Sequence, residues 1–400
     1  MDLTSPQAFW LLRNGLGDVP PPLSGDRSCE VAVIGGGITG ALCADALTEA
    51  GLSVIVVDKR HPGLGSTSAS TALLQYELDE SLIDLSDKVG GRRATDAYRA
   101  ALSGVRAIGR ISRTLPSDVG FHQRPTLYVA STKKHAKTFA SECAARRKIG
   151  LSCEYLNKRE LRDLVDFDAP AALRTTVGAE VDPWRLTQAL FNRAMKRNCE
   201  IFGRTETQRI VPTKRNVELH TDRGGISTQH VVIAVGYEAE RFLPKPVAKL
   251  HSTYAIATEP VMRFDGWPAR SLIWESARPY MYMRTTQDNR ILVGGVDDPL
   301  RDPGVRDRRV NAKARQLLLK TQRFFPRIEL QMAFAWAGTF GETKDTLPFI
   351  GSHPELDDRI LFALGYGANG MPFGAVAAEI VTARITGRKH RYDNTFLFGR

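Results

Sequence analysis

The segment from Val31 to Arg60, VAVIGGGITGALCADALTEAGLSVIVVDKR, combines two apolar runs, a glycine pattern and an acid in an order that few folds accommodate. The apolar runs are short and continuous, as is typical of strands buried on both faces, and the small residues between them favour a helix packed closely on a sheet. Gly35 permits a tight turn, Gly37 lets a phosphate approach the backbone, and Gly40 lets the helix lie close to the first strand. The segment therefore predicts a strand, a glycine turn, a helix and a second strand.

This unit indicates a bound nucleotide. A helix that begins at the glycine turn, near Ile38 and Thr39, directs its free N–H groups and positive dipole end at a phosphate. Asp58 follows the second strand, 18 residues after the last glycine of the pattern, where a carboxylate accepts the hydroxyl hydrogens of an adenosine ribose. The acid argues against a 2′-phosphate, although Lys59 and Arg60 beside it leave that exclusion incomplete.

Length and composition bound the rest of the chain. Four hundred residues, 42% hydrophobic and 25% charged, suit two globular domains. No apolar run approaches the roughly 20 residues of a membrane helix, and no basic region leads into a long apolar core at the N-terminus, which favours a cytoplasmic protein. The five cysteines are odd in number and show no C-x-x-C spacing, so we expect neither a disulfide framework nor a metal site.

The net charge of +11 is concentrated in one segment. The segment from Arg301 to Arg327 contains nine basic residues and only two acids, Asp302 and Asp307. One interpretation is a solvated helix face; the other is a docking patch for an anionic partner, nucleic acid included. No aromatic pattern or motif accompanies the charge, so the patch alone does not indicate a nucleic-acid-binding protein.

The C-terminal segment ILFALGYGANGMPFGAVAAEIVTARITG repeats the theme of strand, glycine loop and helix. Ile360–Leu364 reads as a buried strand and Ala375–Ile385 as a helix of small residues. Between them Gly365, Gly367 and Gly370 let the backbone approach a flat ring, and the helix aims a second positive dipole end at it. Two such units suit a cofactor with a nucleotide at one end and a second anion far from it, as in a reduced flavin.

Several motifs together resemble one family. They are VIGGGITG with Asp58, the GSTSAST loop, VDPWRL at 181–186, VVIAVGY at 231–237, RILVGGVDD at 290–298, WAGTFGETKDTLPFIG at 336–351 and LGYGANGMPFG at 364–374. On these motifs the chain resembles, from about residue 29 to 388, the flavin-dependent oxidoreductases that include D-amino acid oxidase, glycine oxidase and sarcosine oxidase.

The resemblance implies an α/β fold. A Rossmann-like FAD-binding domain of the glutathione-reductase type would comprise residues 1–80, 152–240 and 331–400. A mixed-sheet substrate domain, inserted discontinuously, would comprise residues 81–151 and 241–330.

The resemblance also implies FAD and the residues that hold it. The first glycine loop, Gly35 to Gly40, would bind the pyrophosphate, with Asp58, Lys59 and Arg60 at the ribose. The remaining positions implied are Ser66, Thr67, Ser68, Ser70 and Thr71 along the pyrophosphate and ring, Thr207 at the adenine, Gly236 at the end of a third strand, and Asp345, Gly367, Asn369, Gly370 and Met371 around the flavin.

Three positions depart from relatives in this family. Sarcosine oxidases attach flavin to a cysteine where this chain has Gly338, and dimethylglycine dehydrogenase-like relatives use a histidine where it has Ala69. We therefore predict non-covalent FAD. Glycine oxidase-like members pair the substrate carboxylate with an arginine where this chain has Phe340, and an apolar ring cannot replace a guanidinium.

The segment ARPYMYMR provides candidate substrate-positioning residues. Strand alternation would place Arg278, Tyr280, Tyr282 and Arg284 on one face, with Tyr254 on the neighbouring strand. One arginine and the phenols would suit a partly apolar substrate that carries an amine or an anion.

The leading prediction is an enzyme that oxidises an amine or amino-acid derivative by hydride transfer to FAD, with oxygen or an unknown acceptor reoxidising the flavin. Oxidation of a hydroxy acid or a glycerol-phosphate-like substrate is an alternative, in which the basic patch serves the anion. A flavin-containing binding protein for an anionic partner is the third.

Overall fold

The computed structural model describes residues 2–365, 367 and 369–400, and its strands and helices alternate along much of the chain. The α-helices are α1 (Phe9–Asn14), α2 (Ile38–Glu49), α3 (Ser66–Ala69), α4 (Leu82–Val89), α5 (Gly91–Thr114), α6 (Lys133–Lys148), α7 (Lys158–Arg162), α8 (Pro183–Met195), α9 (Pro303–Phe324) and α10 (Gly370–Ile385). The strands are β1 (Arg27–Ile34), β2 (Val54–Val57), β3 (Leu73–Leu74), β4 (His122–Val129), β5 (Glu154–Asn157), β6 (Ala171–Glu180), β7 (Cys199–Phe202), β8 (Thr207–Pro212), β9 (Val217–Thr221), β10 (Gly225–Ile233), β11 (Ala248–Thr258), β12 (Leu272–Glu275), β13 (Met281–Thr285), β14 (Ile291–Asp298), β15 (Met332–Thr343), β16 (Phe349–Ser352) and β17 (Ile360–Leu364), and a 3₁₀ helix spans Gly236–Phe242.

The first sheet contains the predicted dinucleotide unit. Its strands run in the order β16-β17-β10-β1-β2-β7, with β9 on β10 and β8 on β9. β1, β2, β7, β10 and β17 are parallel. Ile34 at the end of β1 lies opposite Val57 of β2 and Ile233 of β10. The carboxyl ends of these strands therefore lie at one edge, where open α/β sheets bind ligands.

Helices α2, α8 and α10 pack together on one face of this sheet, and α5 packs on α10. The close approach of α2 to β1 depends on the third glycine of the pattern, because a Cβ at Gly40 would stand 1.9 Å from the carbonyl oxygen of Gly35. Asp182 caps α8 by accepting hydrogen bonds from the backbone N–H groups of Trp184 and Arg185, each at 3.0 Å.

The second sheet is mixed and lies against the edge of the first. Its strands run in the order β15-β11-β14-β13-β12-β4-β6-β3, with β5 paired to β6. β12 and β4 are parallel, whereas β11 is antiparallel to both β14 and β15. Helix α9 packs on β11, β14 and β15. The α/β fold with a Rossmann-like first sheet and a mixed second sheet confirms the predicted fold class.

The assignment of strands to sheets differs in places from the predicted domain division. β6 and β15 belong to the second sheet, although residues 152–240 and 331–400 were assigned to the FAD-binding domain. Both strands complete the second sheet by pairing, β6 with β4 and β15 with β11. The domain limits themselves stay a prediction. Among the residues that the structure describes, no helix has the length and hydropathy needed to cross a membrane.

Candidate active site

One large cavity lies between the carboxyl edge of the first sheet and the near face of the second. It encloses about 1940 Å³ of space outside the protein atoms, counting solvent at its mouth. Sixteen of the residues predicted to bind FAD line it: Gly35, Gly37, Ile38, Thr39, Asp58, Lys59, Arg60, Ser66, Thr67, Ser70, Thr71, Thr207, Gly236, Gly367, Gly370 and Met371. Segments far apart in sequence thus converge on one cavity.

The glycine turn after β1 opens directly onto the cavity. Gly35 has φ +105°, and a Cβ there would stand 2.5 Å from the carbonyl oxygen of Ala234. Helix α2 begins at Ile38, whose N–H donates to Thr67 Oγ1 at 3.0 Å. The helix therefore presents its positive end to the cavity, as an anionic phosphate requires.

Asp58 lies in the cavity wall after β2. Its Oδ2 accepts a hydrogen bond from the N–H of Gly36 at 2.7 Å, and its Oδ1 accepts one from the N–H of Arg60 at 2.7 Å. Burial raises the pKa of Asp58, and these two hydrogen bonds oppose that effect. The carboxylate thus fixes the turn and still faces the cavity.

Glu238, which sequence reasoning missed, pairs with both basic residues beside Asp58. Its Oε1 lies 2.7 Å from Lys59 Nζ and 2.9 Å from the guanidinium of Arg60. Burial raises the pKa of Glu238, but hydrogen bonds from Arg60 and Lys59 outweigh it and hold the pKa at about 2. Both cations pair with this carboxylate, so neither is left without an acidic partner to hold a 2′-phosphate.

The hydroxyl loop contributes side chains of two kinds. Ser66 Oγ is buried and lacks a hydrogen-bond partner among the described residues, as does Thr207 Oγ1 across the cavity. Ser68 differs, because its Oγ donates to the carbonyl of Gly65 at 2.9 Å and the side chain lies outside the cavity lining. Ser66 and Thr207 are the residues whose hydroxyls need a ligand partner.

Three further predicted positions do not line the cavity. Gly40 is used in helix packing. Asn369 donates its side-chain N–H to the carbonyl of Gln75 at 2.7 Å, which ties the C-terminal glycine loop to the strand region near β3. The carboxylate of Asp345 pairs with the guanidinium of Arg400, the C-terminal residue, at 2.7 Å. This pairing corrects the predicted place of Asp345 beside the flavin.

The second sheet and the segment after β3 form the other end of the cavity, which we call the substrate end: Asp79, Thr253, Trp274, Tyr280, Tyr282, Asp297 and Phe340. The Tyr280 hydroxyl donates to Asp79 Oδ1 at 2.9 Å, and its ring lies 5.7 Å from that of Tyr282 and 6.2 Å from that of Trp274. Burial and the charge of Asp79 raise the pKa of Tyr280, which keeps its hydroxyl a donor.

A β-bulge aims Asp297 into this end. Two residues of β14, Val296 and Asp297, lie between Gly295 and Asp298, whereas only one residue of β11 lies between their partners, Tyr254 and Ser252. The bulge places Val296 at φ +52°, a conformation that β-branched residues rarely adopt. Bulges of this kind re-aim side chains near active sites.

The three remaining substrate candidates lie outside the cavity lining, which corrects their prediction. Arg284 is 1% exposed and donates to the carbonyls of Thr71, Val181 and Thr285 at 2.6, 2.8 and 3.2 Å. Its guanidinium therefore stabilises backbone. Alternation predicted one face for residues 278 to 284, but the guanidinium of Arg284 is used by backbone carbonyls, including that of Thr71 in the cavity wall, and does not reach the cavity itself.

Arg278 is exposed and donates to the carbonyls of Ala277 and Asp79 at 3.2 and 2.8 Å, with its guanidinium 4.8 Å from the centre of the Tyr280 ring. Tyr254 faces helix α9 on the other side of the sheet, where its hydroxyl donates to Asp298 at 3.0 Å. Thr253, its neighbour, lines the cavity instead.

The residues present fit FAD. Two helix N-termini, of α2 and α10, meet the cavity at separate glycine loops, and the orphaned hydroxyls of Ser66 and Thr207 flank it. At the two positions where relatives carry an attaching side chain, Gly338 and Ala69 both line the cavity. Neither offers a nucleophile. Within the described part of the chain, no group of three His, Cys, Asp or Glu side chains could hold a metal ion.

The family is shown by comparison with known proteins. A model of the FAD dependent oxidoreductase family matches residues 30–384, and the chain belongs to that family, which confirms the resemblance and makes FAD its cofactor.

Two curated relatives and one crystal structure show the extent of the similarity. The glycine oxidase of Geobacillus kaustophilus is 26% identical over 376 residues, which are 91% of this chain and 94% of that protein. The gamma-glutamylputrescine oxidoreductase of Escherichia coli is 28% identical over 385 residues, 92% of this chain and 85% of that protein. The crystal structure of the Geobacillus glycine oxidase superimposes with a TM-score of 0.79 at 20% identity, over 94% of this chain and 99% of that one, which supports the fold.

Proposed function

We propose that this FAD-dependent oxidoreductase oxidises an amine or amino-acid derivative. The observation that carries the proposal is the substrate end of the cavity, where aromatic rings of the second sheet and the carboxylates of Asp79 and Asp297 line the same cavity as the predicted flavin loop. The glycine oxidase and gamma-glutamylputrescine oxidoreductase relatives, both named for compounds that contain nitrogen, support the same choice.

The residues of this chain bind the cofactor and the substrate and orient them relative to each other. When bound, FAD would supply a hydride acceptor: loss of hydride from the carbon next to a neutral amine gives an iminium ion, which water hydrolyses. The second sheet covers the reacting region and limits the access of water, with Trp274 3% exposed. Tyr280 and Tyr282 present phenol groups to the substrate, and holding its carbon close to the acceptor reduces the entropic part of the barrier.

The hydroxy-acid alternative has less support. In this alternative the basic patch at 301–327 would bind the anion. Helix α9, however, lies on the face of the second sheet away from the cavity, and the cavity lining contains none of these basic residues. Six of the nine pair with acids: Arg301, Arg306, Arg309, Lys313, Lys320 and Arg327. This pairing also weakens the case for a docking patch.

Anaerobic reduction of the bound flavin tests the proposal. Holoenzyme mixed with a panel of amines, amino acids and hydroxy acids should lose its flavin absorbance with members of the first two classes. Bleaching by hydroxy acids alone would contradict the proposal. The use of oxygen or another electron acceptor, and a cytoplasmic location, stay predictions.

A further inference from the structure

The charge at the substrate end is opposite to what a carboxylate-bearing substrate needs. Asp79 and Asp297 both line it, and no Lys, Arg or His of the described residues lines this end. The cations of the cavity, Lys59, Arg60 and Arg241, pair with Glu238 or Glu206 at the nucleotide end. A substrate carboxylate placed beside two aspartates would be repelled in a partly dry site.

Asp297 is held in a way that favours a cationic ligand. Its Oδ1 is buried and has no hydrogen-bond partner among the described residues. Burial, followed by the charges of Asp79 and Asp298, raises its pKa to about 6, while a hydrogen bond from Thr253 and the charge of Lys313 oppose the rise. A charged carboxylate in such a place is costly, and an ammonium group bound beside it offsets that cost.

Aromatic rings complete this environment. Trp274, Tyr280 and Tyr282 line the cavity beside the two acids. Ring faces attract cations, most strongly where water is excluded. Phe340 lies at the same end, at the position where the resemblance led us to expect a carboxylate-pairing arginine.

We propose that the substrate end binds the ammonium group of an aliphatic amine that carries no free carboxylate, with Asp297 and Asp79 as its counter-ions and the three aromatic side chains as its walls. The inference rests on the proposed function and narrows it to cationic amines, diamines included. In a diamine one nitrogen is bound as the ammonium and the other, neutral nitrogen is oxidised; in a monoamine the bound ammonium first gives its proton to Asp297, so that the amine is neutral when hydride leaves. Asp297 is the specificity-determining residue, because it is the carboxylate that the second sheet contributes to the lining of this end.

Calorimetric titration of anaerobic, dithionite-reduced holoenzyme tests this inference without turnover, since reduced flavin accepts no further electrons. The probes are n-butylammonium and butyrate, which differ in charge but little in length. We expect butylammonium to bind more tightly than butyrate. Its affinity should rise between pH 5 and pH 7, because Asp297 ionises in that range while the alkylammonium stays protonated.

Asp297→Asn should weaken butylammonium binding at least tenfold at pH 7.5 and leave FAD content unchanged. The matched control is Asp298→Asn, next in the chain but engaged with Tyr254, Arg309 and Lys313 on the far side of the sheet. Tighter binding of butyrate, or equal losses in the two variants, would overturn the inference. Bleaching by amino acids without any binding of butylammonium would overturn it while leaving the proposed function intact.

Discussion

Asp297 and Asp298 are consecutive residues whose carboxylates serve opposite faces of the second sheet: one lines the cavity, and the other accepts hydrogen bonds from Arg309 and Lys313 at 2.9 and 2.7 Å. The first lacks a partner for one oxygen among the described residues, and the second has several. Two identical side chains therefore have opposite consequences for stability, and this difference can be measured.

Asp297→Asn should stabilise the protein at pH 8. The pKa of this carboxyl is about 6 in the fold and 3.8 in the unfolded chain, so the folded state holds the extra proton between these values. The free energy of unfolding therefore falls as pH rises through that window, and the amide removes the loss, on the order of 3 kcal/mol. Urea unfolding at pH 5 and pH 8 checks the difference. Asp298→Asn should destabilise at both pH values, and a destabilised Asp297→Asn protein at pH 8 would contradict the argument.

Asp58→Ala should release FAD. The change removes the acid predicted at the ribose and also leaves the N–H groups of Gly36 and Arg60 without their acceptor. Each charge-assisted hydrogen bond lost costs about 1.5–3 kcal/mol, so affinity should fall at least a hundredfold. The ratio of flavin to protein absorbance after gel filtration measures it. Asp26→Ala is the control, because exposed Asp26 also accepts a backbone N–H, from Gly225 at 2.8 Å.

Arg284→Ala should damage folding more than it alters substrate choice. It leaves three carbonyl oxygens without a donor in a buried place and removes the guanidinium that lies 5.2 Å from the Trp10 ring. We expect a loss of about 3 kcal/mol in the free energy of unfolding. Arg278→Ala, at an exposed position, should change stability by less than about 1 kcal/mol. Similar urea midpoints for the two variants would refute this assignment.

Acid precipitation of the holoenzyme should leave all of the yellow colour in the supernatant. Gly338 and Ala69 occupy the two positions at which relatives attach flavin, and a Cβ at Gly338 would stand 3.4 Å from that of Ala69. With no sulfur or imidazole there, the cofactor has nothing to bond to covalently. Flavin retained in the washed protein pellet would show that it is covalently attached.

Phe340→Arg should reverse ligand preference at the substrate end. A guanidinium there would oppose Asp79 and Asp297, so butylammonium should bind less tightly and butyrate more tightly, each by roughly tenfold. The same titration on reduced holoenzyme measures both. An unchanged preference would place residue 340 away from the bound ligand.

The residues at the nucleotide end of the site could be predicted from the sequence. Glycine spacing, buried strands and Asp58 follow from local rules, because a tight turn, close helix packing and a strand-end acid all lie within one βαβ unit. Gly35, Gly37 and Asp58 accordingly line one cavity in the structure. The family motifs near 231 and 364 extended this prediction to the other strands of the same edge.

The substrate end was decided by tertiary structure. Strand alternation placed Arg284 with the tyrosines, but its guanidinium is bound by the backbone carbonyls of Thr71 and Val181 instead of lining the cavity. Tyr254 was predicted at the substrate, but it donates to Asp298 on the other face of the sheet, and its neighbour Thr253 lines the cavity. The RILVGGVDD motif contained Asp297, yet alternation alone could not assign its face, because the bulge at Val296 shifts the register.

Sequence therefore determined the cofactor and the fold, since both are encoded by short segments whose glycine, acid and apolar positions act locally. Tertiary structure decided the charge of the substrate end. Asp79 and Tyr280 are 201 residues apart and meet at 2.9 Å only when the segment after β3 reaches the second sheet. No local pattern encodes that meeting, because it depends on how two sheets pack around one cavity.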